Sequence, residues 1–400
     1  MDAMDAMDAQ QNPWDMPLGD VFNDVPLFRE IQRVLASSTG PVNWELARQV
    51  GIAAAAWGRE DPTPTEEDGR GFDEAVRLAE LQVAESTGLT TPSDVARVEP
   101  VRRAQWVQAN IEGLRELLEP AAARVEAAMA KAQMEMGPEV PAGGEAVAQQ
   151  LLGQISPLVV GAQIGTVLGY LGQRVLGQYD IALPRSGPGT LLFVVPNIAA
   201  FEKDWSLAPR DFRTWVALHE VTHRFEFARP WARTHFRSLL DDLLSSVEFD
   251  VAGIQRQLEG LDMSDPSAFQ RMFESEEGLF GAVLDEEQRL KLGRIQAFMS
   301  AAEGYGDHVM HALGARLLPS YSQIEEAMLR YREGEAGDPV FERLLGIEMK
   351  REQYRMGKAF CDTVVGLTSE QTLATMWDSA EALPSLPELE EPRLWLARSA

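Results

Sequence analysis

The chain has 400 residues, 45% hydrophobic and 24% charged, a balance that suits a folded globular protein and excludes wholesale disorder. Its formal net charge of −26 repels phosphate backbones and anionic lipid heads, which argues against nucleic-acid and peripheral membrane binding. The single cysteine, Cys361, excludes an intramolecular disulfide and a Cys-based zinc site, and is consistent with a reducing, cytoplasmic setting.

Met1-Asp2-Ala3 occurs three times in tandem at the start. This acidic stretch has no basic segment followed by an apolar run, so it does not read as a secretory signal. Residues 1–19 read as a disordered acidic tail and residues 20–140 as an N-terminal helical region. Within that region Val25, Phe28, Ile31, Val34 and Leu35 recur at a helical period over Phe22–Ala36. Asn43 is placed to cap a second helix running through Ala56. Asp61-Pro62-Thr63-Pro64-Thr65 reads as a loop, with Thr65 capping the next helix and Asp68 completing a capping box. Pro92–Arg97 reads as a short helical start, and Arg103–Leu118 as a helix with Trp106, Ile111, Leu114, Leu117 and Leu118 on one side. Gly137–Gly144 is turn-rich and marks the boundary to a region spanning 141–320.

From Ala146 to Gln173 there is no charged residue, and Gly161, Gly165, Gly169 and Gly172 place small residues at helical spacing. Small residues so spaced also line the contact faces of membrane helices. Here Gln149, Gln150, Gln154, Gln163 and Gln173 interrupt the run and Pro157 sits near its start, leaving too little apolar length for a stable span. The expectation is a buried helix whose glycines allow close backbone packing. Leu191–Val195, apolar and β-branched between Gly189 and Pro196, reads as the best strand; as an edge strand it could pair with an extended peptide. Asn197, just after it, could hold a substrate carbonyl or amide. Helices are expected from Pro209 to Ala228, ended by Pro230, and from Glu286 to Leu317, stopped by Pro319. Residues 321–400 read as a C-terminal helical region with a proline-punctuated tail from Leu383 to Pro392. The fold class expected is mainly α (α+β), with one small sheet.

The chemistry centres on His219-Glu220-Val221-Thr222-His223. Residues four apart on a helix lie about 40° apart around the axis, so both imidazoles project from one face. Zinc takes nitrogen ligands at about 2.0–2.1 Å in a near-tetrahedral arrangement, and such a pair supplies two corners. Glu220 flanks that face, placed to take a proton from a metal-bound water rather than to bind the metal. Phe212, Trp215 and Val216 would bury the helix. With five histidines in the chain, two at this spacing are a specific signal for zinc.

A catalytic site needs a third protein ligand. Glu303, opening Glu303-Gly304-Tyr305-Gly306-Asp307, is the best candidate. Asp307, one turn on, suits an acid that accepts a ring N–H from a ligand histidine. Ile295, Met299, Ala302, Gly306, Met310 and Leu313 form the inward stripe beside them, and the two glycines suit close packing against the metal helix. His308 and His311 are alternatives for the third ligand, or for a hydrogen bond to the oxyanion of a tetrahedral intermediate. Tyr305 reads as core more readily than as an oxyanion donor, and Cys361 as a packed thiol. His235 lies too far beyond His223 for the metzincin spacing.

His219-Glu220-x-x-His223 with Glu303-x-x-x-Asp307 resembles the gluzincins, the thermolysin-like peptidases. The resemblance implies His219, His223 and Glu303 as zinc ligands, Glu220 as base and Asp307 as support for a ligand histidine; Asn197 resembles that group's substrate-binding asparagine. A longer resemblance is to a zincin-like family of actinobacteria described as zinc-dependent hydrolases, some labelled with the biosynthesis of a deazaflavin coenzyme. It is carried by Asn43-Trp44-Glu45-Leu46-Ala47, Arg103-Ala104-Gln105-Trp106-Val107 with Asn110, Val194-Val195-Pro196-Asn197, Phe212-Arg213-x-Trp215-Val216-Ala217-Leu218, Pro230-Trp231 and Glu303-Gly304-Tyr305; the Leu383-Pro384 and Pro392 tail is similar too. It implies a zincin-like core in 141–320 with helical additions. The function expected is a zinc-dependent hydrolase, a metallopeptidase acting on peptides. The alternatives are a hydrolase of a small amide or ester, or a non-catalytic zinc-containing interaction protein.

Overall fold

The computed structural model describes residues 40–135, 144–179, 189–246, 285–334 and 347–399. The acidic tail, the helix expected over Phe22–Ala36 and most of the Gly137–Gly144 boundary lie outside them. Helix α1, Trp44–Ala55, begins where Asn43 Oδ1 accepts the Leu46 N–H at 2.8 Å. Helix α2, Glu66–Thr87, begins with the Thr65–Asp68 capping box and ends at Gly88, whose φ of +65° suits glycine. Both starts are those read from the sequence. Helix α3, Arg103–Glu135, runs well past the expected Leu118. It continues through Pro120, which is exposed, so water can satisfy the Glu116 carbonyl that a proline cannot.

Helix α4, Gly144–Gly172, contains the uncharged run. A Cβ at Gly161 would overlap the Asn43 carbonyl, one at Gly165 the Ala47 carbonyl, and one at Gly169 would lie 2.8 Å from the Gly51 carbonyl oxygen. The glycine stripe therefore lets α4 lie on α1 almost backbone to backbone. Among the described residues no helix is long and apolar enough to cross a membrane.

Three strands form the sheet: β1 (Arg97–Val101), β2 (Gly177–Tyr179) and β3 (Thr190–Val194), in the order β1-β3-β2. β1 runs parallel to β3 and β2 antiparallel to it. The helical start expected over Pro92–Arg97 is absent; the backbone there is non-helical and leads into β1. Val95, Val98 and Val101 favour extended backbone, and Pro100 holds Glu99 away from the helical region. The strand read as an edge is instead the centre of the sheet, with neighbours on both sides. β2 takes an outer position, and its three residues are too few to show an alternating pattern. Along β3, Leu191 and Phe193 face a core with α2 and later helices, whereas Leu192 and Val194 face a second core with α1, α3 and α4. Burial on both faces explains why the strand reads as a continuous apolar run. Phe193 stacks on Phe72 at 4.4 Å between centroids, and burying such a side chain contributes about 1.5–3 kcal/mol.

The chain continues through α5 (Val195–Asp204), α6 (Pro209–Phe227), α7 (Pro230–Ser246), α8 (Glu286–Leu317), α9 (Tyr321–Gly334), α10 (Ile347–Leu367) and α11 (Glu370–Ala374). Two short helices, α12 (Leu386–Glu390) and α13 (Pro392–Ser399), close the tail. Helix α8 begins at an Asp285–Gln288 capping box. The expected class, mainly α with a small sheet, is the one observed.

A buried histidine ties α8 to the C-terminal helices. His308 Nδ1 lies 2.8 Å from Asp362 Oδ1 and Nε2 lies 3.0 Å from Glu370 Oε1, so both nitrogens face carboxylates. Lys358 Nζ in turn lies 2.6 Å from Asp362 Oδ2. Burial alone would lower the His308 pKa, but hydrogen bonds to Glu370 and Asp362 outweigh it and raise the value. A raised folded-state value stabilises the protein below the ordinary histidine range, and that gain is lost as pH rises through the raised value. Wild type should therefore melt above His308→Gln at about pH 6, with the margin shrinking toward about pH 9. A margin that stays constant in melting curves across that range would refute the clasp.

Candidate metal centre

Pro209 at the first helical turn starts α6, and nearly all of the helix from Phe212 onward is buried. Because its surroundings are apolar, its polar side chains need partners. His219 and His223 project together, with ring centroids 4.5 Å apart in an edge-to-face arrangement. Opposite them α8 presents Glu303. His219 Nε2 and His223 Nε2 are 3.2 Å apart, and Glu303 Oε2 lies 3.6 Å from the first and 3.5 Å from the second. Tetrahedral zinc with ligands at about 2.0–2.1 Å has ligand-to-ligand edges of about 3.3 Å, so this triangle fits three of its corners. It is the one His/Cys/Asp/Glu group among the described residues whose ligand atoms converge in this way. The His219 side chain is 19% exposed, against 4% for His223, so solvent reaches the group on the His219 side.

Glycines set the approach of the helices. A Cβ at Gly306 would lie 3.3 Å from His223 Cε1 and 3.6 Å from His219 Cε1, so the backbone of α8 sits directly over both rings. Gly304, expected to serve the same purpose, faces α10 instead: a Cβ there would overlap the backbone of Gly357. Two positions along a helix turn the side chain to the far side, which is why the two glycines meet different neighbours.

Glu220 is buried against β2. Its Oε2 accepts the Tyr179 N–H at 2.7 Å, and a Cβ at Gly177 would lie 2.6 Å from its Oε1. In antiparallel pairing alternate residues turn their amides away from the partner strand. Tyr179 does so, and Glu220 meets it on the side of β2 away from β3. Gln178 points elsewhere and exchanges amide hydrogen bonds with Asn110 at 2.9 and 3.1 Å, anchoring β2 to α3.

One residue of the centre escaped the sequence reading. Glu226 is fully buried, and its Oε2 lies 2.8 Å from His223 Nδ1. Burial pushes the Glu226 pKa up to about 7, with His223 only partly opposing it. The signal was present, because seven residues after His219 and three after His223 fall on the same helical stripe.

Most of the other candidates have partners of their own. Asp307 is buried one turn beyond Glu303. Tyr305 packs in the core, edge-on to Trp377 at 5.9 Å. His311 is exposed, with Nδ1 2.6 Å from the Tyr321 hydroxyl and 3.1 Å from Glu325, while His308 forms the clasp, so it is Glu303 that joins the histidine pair. The Asn197 side chain accepts from Arg103 Nε and donates to the carbonyls of Gly172 and Val175 at 2.9 and 2.7 Å, joining three segments. Its hydrogen bonds serve the fold. Cys361 is a buried thiol.

Two histidines one turn apart and a glutamate from a second helix thus offer three ligand atoms that could hold a metal ion, with Glu220 and Glu226 buried on the same helix as the histidines. The chain belongs to the Zincin-like metallopeptidase family, whose model matches residues 42–396. Among solved structures it is similar to a protein of Chloroflexus aurantiacus described as "a putative hydrolase with a novel fold", with 34% identity and a TM-score of 0.63 over 89% of this chain and 98% of that one. No curated protein matches the chain.

Proposed function

We propose that this protein is a zinc-dependent peptidase in which His219, His223 and Glu303 hold the metal and Glu220 is the catalytic base. The reading is carried by the convergence of three ligand atoms from α6 and α8 at zinc-like separations. A zinc ion held there supplies Lewis acidity toward a carbonyl and lowers the pKa of water. Glu220 takes the proton of the attacking water and returns it to the leaving amine. Asp307 is assigned the support of a ligand histidine. All these residues fall in 141–320, the segment we assign as the catalytic region.

Two observations favour catalysis of peptide hydrolysis over the alternatives. The converging group comprises three side chains among the described residues, which suits a site with an open fourth position better than a closed structural one. Membership of the Zincin-like metallopeptidase family favours a peptide over a small amide or ester as the substrate. The test is metal content together with hydrolysis of a peptide library. One zinc per chain is expected, with cleavage abolished by a chelator and restored by zinc. Removing the metal should also lower the melting temperature, since zinc at a hundred times its Kd stabilises a folded state by about 2.7 kcal/mol. Zinc-dependent turnover of small esters alone would favour the second reading, and a protein that takes up no zinc would end both.

A further inference from the structure

Glu226 raises a question that the three-ligand centre leaves open. It is fully buried, and while Oε2 meets His223, Oε1 has no hydrogen-bond partner among the described residues. Leaving half of a carboxylate unsatisfied in a dry interior is expensive. A hydroxyl could have accepted a buried imidazole N–H without burying a second carboxylate oxygen. The position of the contact also matters. Glu226 meets Nδ1, while the atom turned toward His219 and Glu303 is Nε2, on the far edge of the ring. Glu226 therefore cannot be a fourth ligand and leaves that corner free.

We propose that Glu226 is a positioning residue for the metal centre: by accepting the Nδ1 proton of His223 it fixes the tautomer in which Nε2 presents its lone pair to the metal, and it holds the ring toward Glu303. The proton stays on Nδ1, and no bond is made or broken. The α6 helix thus carries two ligands, the base and the support of one ligand within a single run, His219-Glu220-Val221-Thr222-His223-Arg224-Phe225-Glu226. His219, His223 and Glu226 share one stripe, with Glu220 to its side. Arg224, between the last two, points elsewhere: its guanidinium bonds the Asp94 carbonyl and pairs with Glu80. This holds the stripe in register from the other side.

The inference rests on the metal reading above, and the experiment separates the two. Zinc affinity is measured by chelator competition on the full chain for wild type, His223→Ala, Glu226→Gln and Glu226→Leu. The cobalt-substituted proteins are examined by proton NMR for the hyperfine-shifted, exchangeable N–H signals of the ligand histidines. Glu226→Gln keeps an acceptor and loses the charge, so its affinity should fall roughly tenfold, and that of Glu226→Leu roughly a hundredfold. The His223 N–H, shielded from water by its bond to a buried acid, should persist in wild type, shift in Glu226→Gln and exchange away in Glu226→Leu. A purely structural role would leave those signals unmoved. Should the leucine variant fail to fold, the glutamine variant decides alone. Zinc affinity within twofold of wild type, or unchanged N–H signals, would overturn the role of Glu226. A wild type that binds zinc no better than His223→Ala would overturn the metal reading itself.

Discussion

Glu220→Gln should bind zinc as tightly as wild type while hydrolysing peptides about a hundredfold to ten-thousandfold more slowly, the range associated with losing a positioned acid–base group. That factor corresponds to about 3–5.5 kcal/mol of transition-state stabilisation. The two halves of the expectation have different structural origins. Glu220 is not among the three converging ligands, so neutralising it leaves the metal's hold intact. Glutamine also matches the size of the pocket against Gly177, and its carbonyl oxygen can still accept the Tyr179 N–H that now reaches Oε2 at 2.7 Å. The fold should therefore tolerate the change. What disappears is the ability to carry a proton. Equal turnover by both proteins, measured on the same peptides at matched zinc occupancy, would remove Glu220 from the chemistry. Loss of zinc from the variant would show instead that it acts on the metal's retention.

Gly357→Ala should produce the largest loss of stability of any glycine-to-alanine change among the described residues. A Cβ there would overlap the Ser300 carbonyl oxygen and lie 2.9 Å from Gly304 Cα, so α8 and α10 would have to part. Overpacking of this kind costs about 1–3 kcal/mol and more when backbone, rather than a flexible side chain, must move. The effect should extend to the centre, because α8 delivers Glu303 and Gly306 to the α6 histidines. Melting temperature and zinc affinity should fall together. Gly366 on the same helix supplies the control. A Cβ there meets nothing within 4 Å, so Gly366→Ala should be neutral or stabilising by up to about 1 kcal/mol from helix propensity. Equal melting temperatures for Gly357→Ala and wild type would mean that the helices do not cross this closely in solution.

The legible parts of the chain were those governed by neighbours in sequence. The capping box at Thr65, the cap at Asn43, the span of α8 from Glu286 to Leu317 and the histidine pair on α6 all follow from interactions within four residues. Glu226 belonged to the same class and could have been found by extending the stripe one more turn. β2 could not, because three residues carry no period. Pro92–Arg97 is non-helical instead of the expected helical start because the valines around it favour extended backbone and Pro100 holds Glu99 away from the helical region.

By itself, then, the order of residues determined which helices exist and placed two imidazoles and a flanking acid on one of them, since helical geometry repeats over a few residues. It did not decide which polar group of α8 would meet that pair. Glu303, Asp307, His308 and His311 are all on that helix, and only its rotation and its depth against α6 and α10 select among them. Those are set by where backbones can touch, at Gly306 over the imidazoles and at Gly304 against Gly357. Contacts between residues so distant along the chain exist only once the helices have packed.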